Sequence, residues 1–395
     1  MPFTPEQIAK IRQKEATLPD ALKRDPSVNY YHGWFFVTLN TRDEVPVLSI
    51  CDGDINIADG KHGAPHCLYT KVGQGVLESW KKIPSICNTA EIDICEVMPE
   101  HFHGLIHLLP GNKRHLGSLM SGFMSGCTHA YWDVLGIDWH SNRYDQGANA
   151  LKIDRDPDHT KSYRGPALFV RGYNDVEPIT ENELEIKRAY IRDQARKRLI
   201  QGERHECFHK YRNRHSKNWT YEKAMMAVYN DKFFQNNPQK CDVAQQNVKK
   251  RLNIISESIV LDHIGCSNLL SSTNKLPLIC HRADASLFEQ QKDKLIQAAR
   301  QGAIIVSAFI SPNERAIKQL LIKEQLPFIE ILDNGISEKY KGIGKTFYAL
   351  AEGRVCQITP WKYLYQKDMT VTREICLVMN ELVRVICGKE EDWWK

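Results

Sequence analysis

The chain has 395 residues, 42% of them hydrophobic and 26% charged, with a net charge of +5. That length exceeds one typical domain, so two or three are expected, and the apolar fraction is adequate for packed cores. No apolar run reaches the roughly 18–20 residues needed to span a bilayer, the first residues lack a signal-peptide layout, and the modest positive charge only hints at an anionic partner.

Residues 1–30 read as a short charged helix and a polar lead-in. Gly33 to Leu39 reads as a first strand, followed by a turn at Asn40-Thr41-Arg42-Asp43. A second strand is expected over Val45 to Leu48. Pro46 cannot donate to a ladder, which puts that strand at an edge. Residues 51–68, dense in Asp and Gly, read as a loop. Val76, Leu77 and Trp80 give an apolar helical face between Val72 and Ile83. Ile92 to Val97 leads into the stretch Val97 to Leu108, a strand candidate entered through Pro99.

That last strand carries His101-Phe102-His103. Alternate side chains of a strand share a face, so the two imidazoles point the same way, about 6–7 Å apart. Such a pair can hold one divalent metal. It equally describes two half-buried histidines in a sheet. Ninety residues on, Thr180 and Glu183 form a capping box that starts a helix. Leu184, Lys187, Ile191 and Ala195 fall on one face of it. Tyr190 and Gln194 lie one turn apart and share a face. Alone they describe a surface tyrosine and a solvated glutamine. Beside the histidine strand they supply a nucleophile and an oxygen donor for a metal.

Four motifs in order carry a resemblance: Trp34-Phe35-Phe36-Val37-Thr38, Met98-Pro99-Glu100-His101-Phe102-His103-Gly104, Leu116 to Ser125, and Tyr190-Ile191-Arg192-Asp193-Gln194. Together they resemble the HUH single-tyrosine transposases, the group that includes insertion-sequence enzymes and REP-associated tyrosine transposases. The resemblance covers roughly residues 25–200. It implies an α+β fold, a ferredoxin-like antiparallel sheet with helices (the HUH endonuclease fold). It also implies Tyr190 as the nucleophile that forms a 5′-phosphotyrosine. The implied metal ligands are His101, His103 and Gln194, with Mg²⁺ or Mn²⁺ as the ion. Single-stranded or hairpin DNA is the implied partner, in a homodimer whose tyrosine helix can serve either subunit's metal. Arg42, in the turn after the first strand, is a candidate phosphate contact. The chain departs from the family pattern at Glu100, where Asn is common, at Met124, where Lys is common, and at Val176, where His is common.

Residues 135–163 are polar and irregular and read as an insertion. Pro166 to Asp175 resembles the strand before the family's tyrosine helix. From Arg196 to Lys217 the chain carries eight Lys or Arg against two Glu, with aromatics interleaved. Basic residues hold phosphates and aromatics stack on exposed bases. Arg196, Lys197, Arg198, Lys210, Arg212 and Arg214 are therefore candidate DNA contacts. A solvated helix face is the plainer alternative. Residues 201–275 are expected to be this arm plus a linker.

From 276 to 395, short apolar strands alternate with amphipathic helices. This pattern predicts a smaller Rossmann-like α/β domain with a mainly parallel sheet. Ser311-Pro312-Asn313-Glu314 is a capping box with proline at the first helical position. The segment Val306 to Glu314 weakly resembles DNA-processing and SLOG-type nucleotide-sensing proteins. Gly342-Ile343-Gly344-Lys345-Thr346 is not a P-loop, because residue 339 is Lys where that motif needs Gly. Twelve cysteines without a Cys-x-x-Cys pair argue against a structural zinc site and fit a reducing, cytoplasmic setting. The functional expectation is a metal-dependent single-stranded DNA endonuclease or strand transferase. The alternative is a hairpin-binding or nucleotide-sensing protein without cleavage.

Overall fold

The computed structural model describes residues 24–25, 27–137, 165–213, 219–255, 258–280, 288–364 and 371–389. They fall into two compact units divided between Ile200 and Gln201. Most of the insertion at 135–163, and Arg214, lie outside the described residues.

The first unit contains β1 (Gly33–Asn40), β2 (Ser49–Asp52), β3 (His66–Tyr69), α1 (Lys71–Lys81), β4 (Ala90–Val97), β5 (His101–Leu108), α2 (Leu116–Leu135), β6 (Asn174–Val176), α3 (Glu181–Arg192) and most of α4 (Gln194–Glu203), whose last three residues fall beyond the division. Its four-stranded sheet has the order β4-β5-β1-β6. Every pairing in it is antiparallel. With α1 between β1 and β4, and α2 between β5 and β6, the sheet is built from a β-α-β-β-α-β succession.

Alternation along β1 and β5 gives this sheet two faces. Phe35, Val37, Leu39, Phe102, Ile106 and Leu108 join the core formed with Val76 and Trp80 of α1 and with Leu119 and Phe123 of α2. Gly104 belongs to that face because Trp80 lies across it. A Cβ there would come within 2.7 Å of the indole. The opposite face holds Phe36 and Leu105, which pack with Leu184 and Ile191 of α3. The tyrosine helix thus covers the face that carries the histidines. Its start has the expected capping box, Thr180 with Glu183.

Two expectations fail in the loop after β1. Val45 to Leu48 is not a strand, and residues 51–68 are not only loop. Asp43 and Glu44 take positive φ in a tight turn. The backbone of Leu48 then bonds Pro99 (N–H to carbonyl, 3.0 Å) and Thr70 (carbonyl to N–H, 3.0 Å) rather than a ladder. Pairing begins only at Ser49, in a separate hairpin with His66–Tyr69.

The second unit adds β7 (Tyr211–Asn213), α5 (Tyr221–Tyr229), α6 (Pro238–Arg251), a two-stranded ribbon of β8 (Ile254–Ile255) and β9 (Ser258–Ile259), β10 (Leu261–Gly265), β11 (Lys275–Pro277), α7 (Phe288–Arg300), β12 (Ile304–Ser307), α8 (Pro312–Lys323), β13 (Phe328–Ile331), α9 (Lys345–Ala351), β14 (Val355–Thr359) and α10 (Arg373–Cys387). Its six-stranded sheet runs β11-β12-β13-β14-β10-β7. The first four strands are parallel and the last two antiparallel, so the sheet is mixed. Separate apolar clusters hold α5, α6 and α10 on one side and α7, α8 and α9 on the other.

Residues 201–275 are not an arm and linker. They supply β7 and β10 to this sheet, and Trp219, Ala224, Val228, Cys241 and Val248 to its core. The stretch reads as polar because α6 exposes one face, while its buried Cys241, Ala244 and Val248 recur at helical spacing.

Candidate active site

The register of β1 against β5 sets Thr38 opposite His103 and Asn40 opposite His101. The run-in to β5 is fixed from the other side. Thr41 donates through its N–H and its hydroxyl to the Glu100 carbonyl, both at 2.9 Å. Ser49 Oγ donates to the Val97 carbonyl at 2.6 Å. The strand therefore enters with Pro99 and Glu100 clamped, and His101 and His103 follow on one face.

The two imidazole rings stand 4.7 Å apart between centroids. His103 is buried, stacked on Phe36 at 5.2 Å. Its Nδ1 lies 2.9 Å from Thr38 Oγ1, which leaves Nε2 as the nitrogen available to a ligand. Burial first, and then the charges of His101 and Lys187, push His103 down to about 3. It is therefore a neutral imidazole at ordinary pH, the form that binds metals. His101 Nδ1 is 3.4 Å from Glu100 Oε1, and the same oxygen is 3.5 Å from an Arg198 nitrogen. The Glu100 carboxylate is thus paired with a guanidinium.

Tyr190 comes to this face within the same chain. Its ring is 5.3 Å from that of His103 and 5.8 Å from that of Phe36, edge-on to both. It is 41% exposed, whereas His103 is 5% exposed, so the phenol is open to a large substrate. Arg188 Nε holds α3 to the sheet through Asp93 of β4 at 2.6 Å. The Lys197 ammonium lies 5.3 Å over the Tyr190 ring and pairs with Asp193 at 3.0 Å. Gln194 is buried, but the helix is not continuous there. It breaks at Asp193, and Gln194 opens α4. Its Nε2 donates to the Tyr190 carbonyl at 3.0 Å.

The expected basic contacts are divided. Arg42 lies in the turn after β1. Arg196 is not a free phosphate contact: it is 14% exposed, bonds the Ile55 and Ile57 carbonyls and pairs with Asp59, so it ties down the 55–59 loop. Lys210 is taken by Glu338, and Arg212 by Asp262 at 3.2 Å, both in the second unit. Met124 packs against the core and Val176 pairs with Phe36 on β6.

Sequence reasoning missed Thr38 as the partner of His103, Phe36 packed against both rings, and the Arg188–Asp93 tie. Each depends on strand register or helix docking, which carries no local signal. Among the described residues, no three His, Cys, Asp or Glu side chains form a metal-binding group. At the histidine face two imidazoles lie side by side, and the Gln194 amide bonds the Tyr190 carbonyl. A cavity of about 350 Å³ lies between α1 and α2, lined by Ser79, Gly122 and Gly126, away from the histidine face of the sheet.

No protein-family model matches this chain, and no curated protein does. A crystal structure described as that of a "putative transposase" from Deinococcus radiodurans R1 is similar at a TM-score of 0.24 and 16% identity, over 44% of this chain and 98% of that one. A superposition at that score fixes neither fold nor activity. Among the described residues, no helix is long and apolar enough to cross a membrane.

Proposed function

We propose that the first unit is an HUH-type single-stranded DNA endonuclease and strand transferase that works through Tyr190. The observation that carries this reading is the placement of an exposed tyrosine 5.3 Å from a buried, neutral histidine in a His-x-His strand. The β-α-β-β-α-β succession and the sheet order β4-β5-β1-β6 support a ferredoxin-like fold.

His101 and His103 would hold a divalent ion, Mg²⁺ or Mn²⁺, with the Gln194 amide oxygen as third donor. Imidazole and amide donors suit Mn²⁺ at least as well as Mg²⁺. The ion would polarise the scissile phosphate. Thr38 fixes the ring of His103. Tyr190 Oη attacks phosphorus and gives up its phenol proton to solvent, the bond to the 3′ oxygen breaks, and that oxygen takes up one proton and leaves as a hydroxyl, so that no net proton is consumed. The 5′ phosphate stays on the tyrosine, so a later 3′ hydroxyl can reverse the step and join strands.

The test is a denaturing gel of protein with hairpin-flanked single-stranded oligonucleotides and Mn²⁺. A protease-sensitive shifted band with wild type and none with Tyr190→Phe is expected. Binding in a native gel with no adduct from wild type would instead favour a hairpin-binding protein.

A further inference from the structure

Cys51 and Cys67 are directly opposed residues of the β2–β3 hairpin. Both are free thiols, half-buried, with their sulfurs 3.6 Å apart. The Cys67 thiol also donates to Sδ of Met98 at 3.7 Å. Met98 is buried. Strand alternation explains the meeting. Ser49 and Cys51 on one strand, with Cys67 and Tyr69 on the other, share the hairpin's inner face. Ser49 Oγ reaches the Val97 carbonyl and Tyr69 Oη donates to Glu96 at 2.9 Å. That face therefore lies over residues 96–98, and three sulfurs from separate stretches converge there.

We propose that Cys51, Cys67 and Met98 form a binding site for a soft monovalent metal ion, Cu(I). Two thiolates and a thioether are the donors that select such an ion over Mg²⁺ or Mn²⁺. Metal–sulfur bonds of about 2.3 Å place the sulfurs of a trigonal site roughly 4 Å apart. Two of those three separations, Cys51 to Cys67 at 3.6 Å and Cys67 to Met98 at 3.7 Å, are close to that. A disulfide would instead need the thiols to close to about 2.0 Å. Binding forms two thiolate–copper bonds and one thioether–copper bond and releases two thiol protons, with no change in oxidation state. An ion here would tie the hairpin to the run-in of β5, three residues before His101.

The test is a titration of the full-length protein with Cu(I), anaerobically and with a phosphine reductant, against a chromophoric Cu(I) chelator. With twelve cysteines in the chain, the site is counted by difference. Wild type is expected to retain one equivalent more than the Cys51→Ser/Cys67→Ser variant. Met98→Leu conserves volume and is expected to keep that equivalent but surrender it at lower chelator concentration. X-ray absorption of the loaded proteins should show three sulfur neighbours in wild type and two in Met98→Leu. Equal retention by wild type and a folded double-serine variant would overturn the proposal. If that variant does not fold, the sulfur count decides alone, and the same count with and without Met98 would overturn it.

Discussion

The hydroxyl of Thr38 sits 2.9 Å from Nδ1 of His103, across a strand pairing that sets the two residues directly opposite. A hydrogen bond at Nδ1 fixes both the tautomer and the orientation of a ligating histidine. Thr38 is thus a positioning residue for the metal site proposed above. Thr38→Val keeps the shape and removes the bond. It is expected to raise the Mn²⁺ concentration needed for cleavage by roughly 10–100-fold, and Thr38→Ser should restore most of the affinity. Identical Mn²⁺ titrations for wild type and Thr38→Val would remove the hydroxyl from the account.

His103 also makes stability depend on pH. Its ordinary value near 6.5 is pushed down to about 3 in the folded chain, mainly by burial. Between those values the unfolded chain binds the proton and the native chain does not. Stability should therefore fall as pH is lowered from about 6.5 toward 3. Melting temperatures of the metal-free protein from pH 7 to pH 4 read this directly. His103→Gln should show a shallower slope, and an unchanged slope would assign the acid sensitivity elsewhere.

Much of the site was legible because its signals are local. The His-x-His alternation placed both imidazoles on one face, and the Thr180–Glu183 capping box placed the tyrosine helix. The basic run from Arg196 misled, because a guanidinium in sequence shows charge but not its partner. Arg196 is spent on the 55–59 loop and Arg212 on Asp262. Residues 201–275 looked like a linker because long-range pairing, not composition, puts β7 and β10 in a sheet. The meeting of Cys51, Cys67 and Met98 depends on hairpin register, which density in Asp and Gly concealed.

Gly104 links the histidine strand to the core beneath it. Gly104→Ala would press a methyl into Trp80 and Phe102, with contacts of 2.7 and 2.8 Å. Overpacking of that kind costs about 1–3 kcal/mol. Denaturant unfolding should show that loss, along with reduced cleavage as β5 shifts. A variant as stable as wild type would mean that the indole moves aside freely.

Tyr190 and His103 meet within one chain, so each subunit of a dimer is expected to hold a complete site. Mixing Tyr190→Phe with His103→Ala protein, after subunit exchange, should then give no adduct. Restored activity in the mixture would show that the tyrosine helix serves the partner's histidines in solution.

The most direct measurement is mass spectrometry of the covalent product. Wild-type protein is incubated with Mn²⁺ and hairpin DNA, digested with nuclease and protease, and the nucleotide-bearing peptide is sequenced. The account predicts a nucleotide phosphate on the peptide that contains Tyr190, located at the phenol oxygen. A nucleotide on any other residue would contradict it.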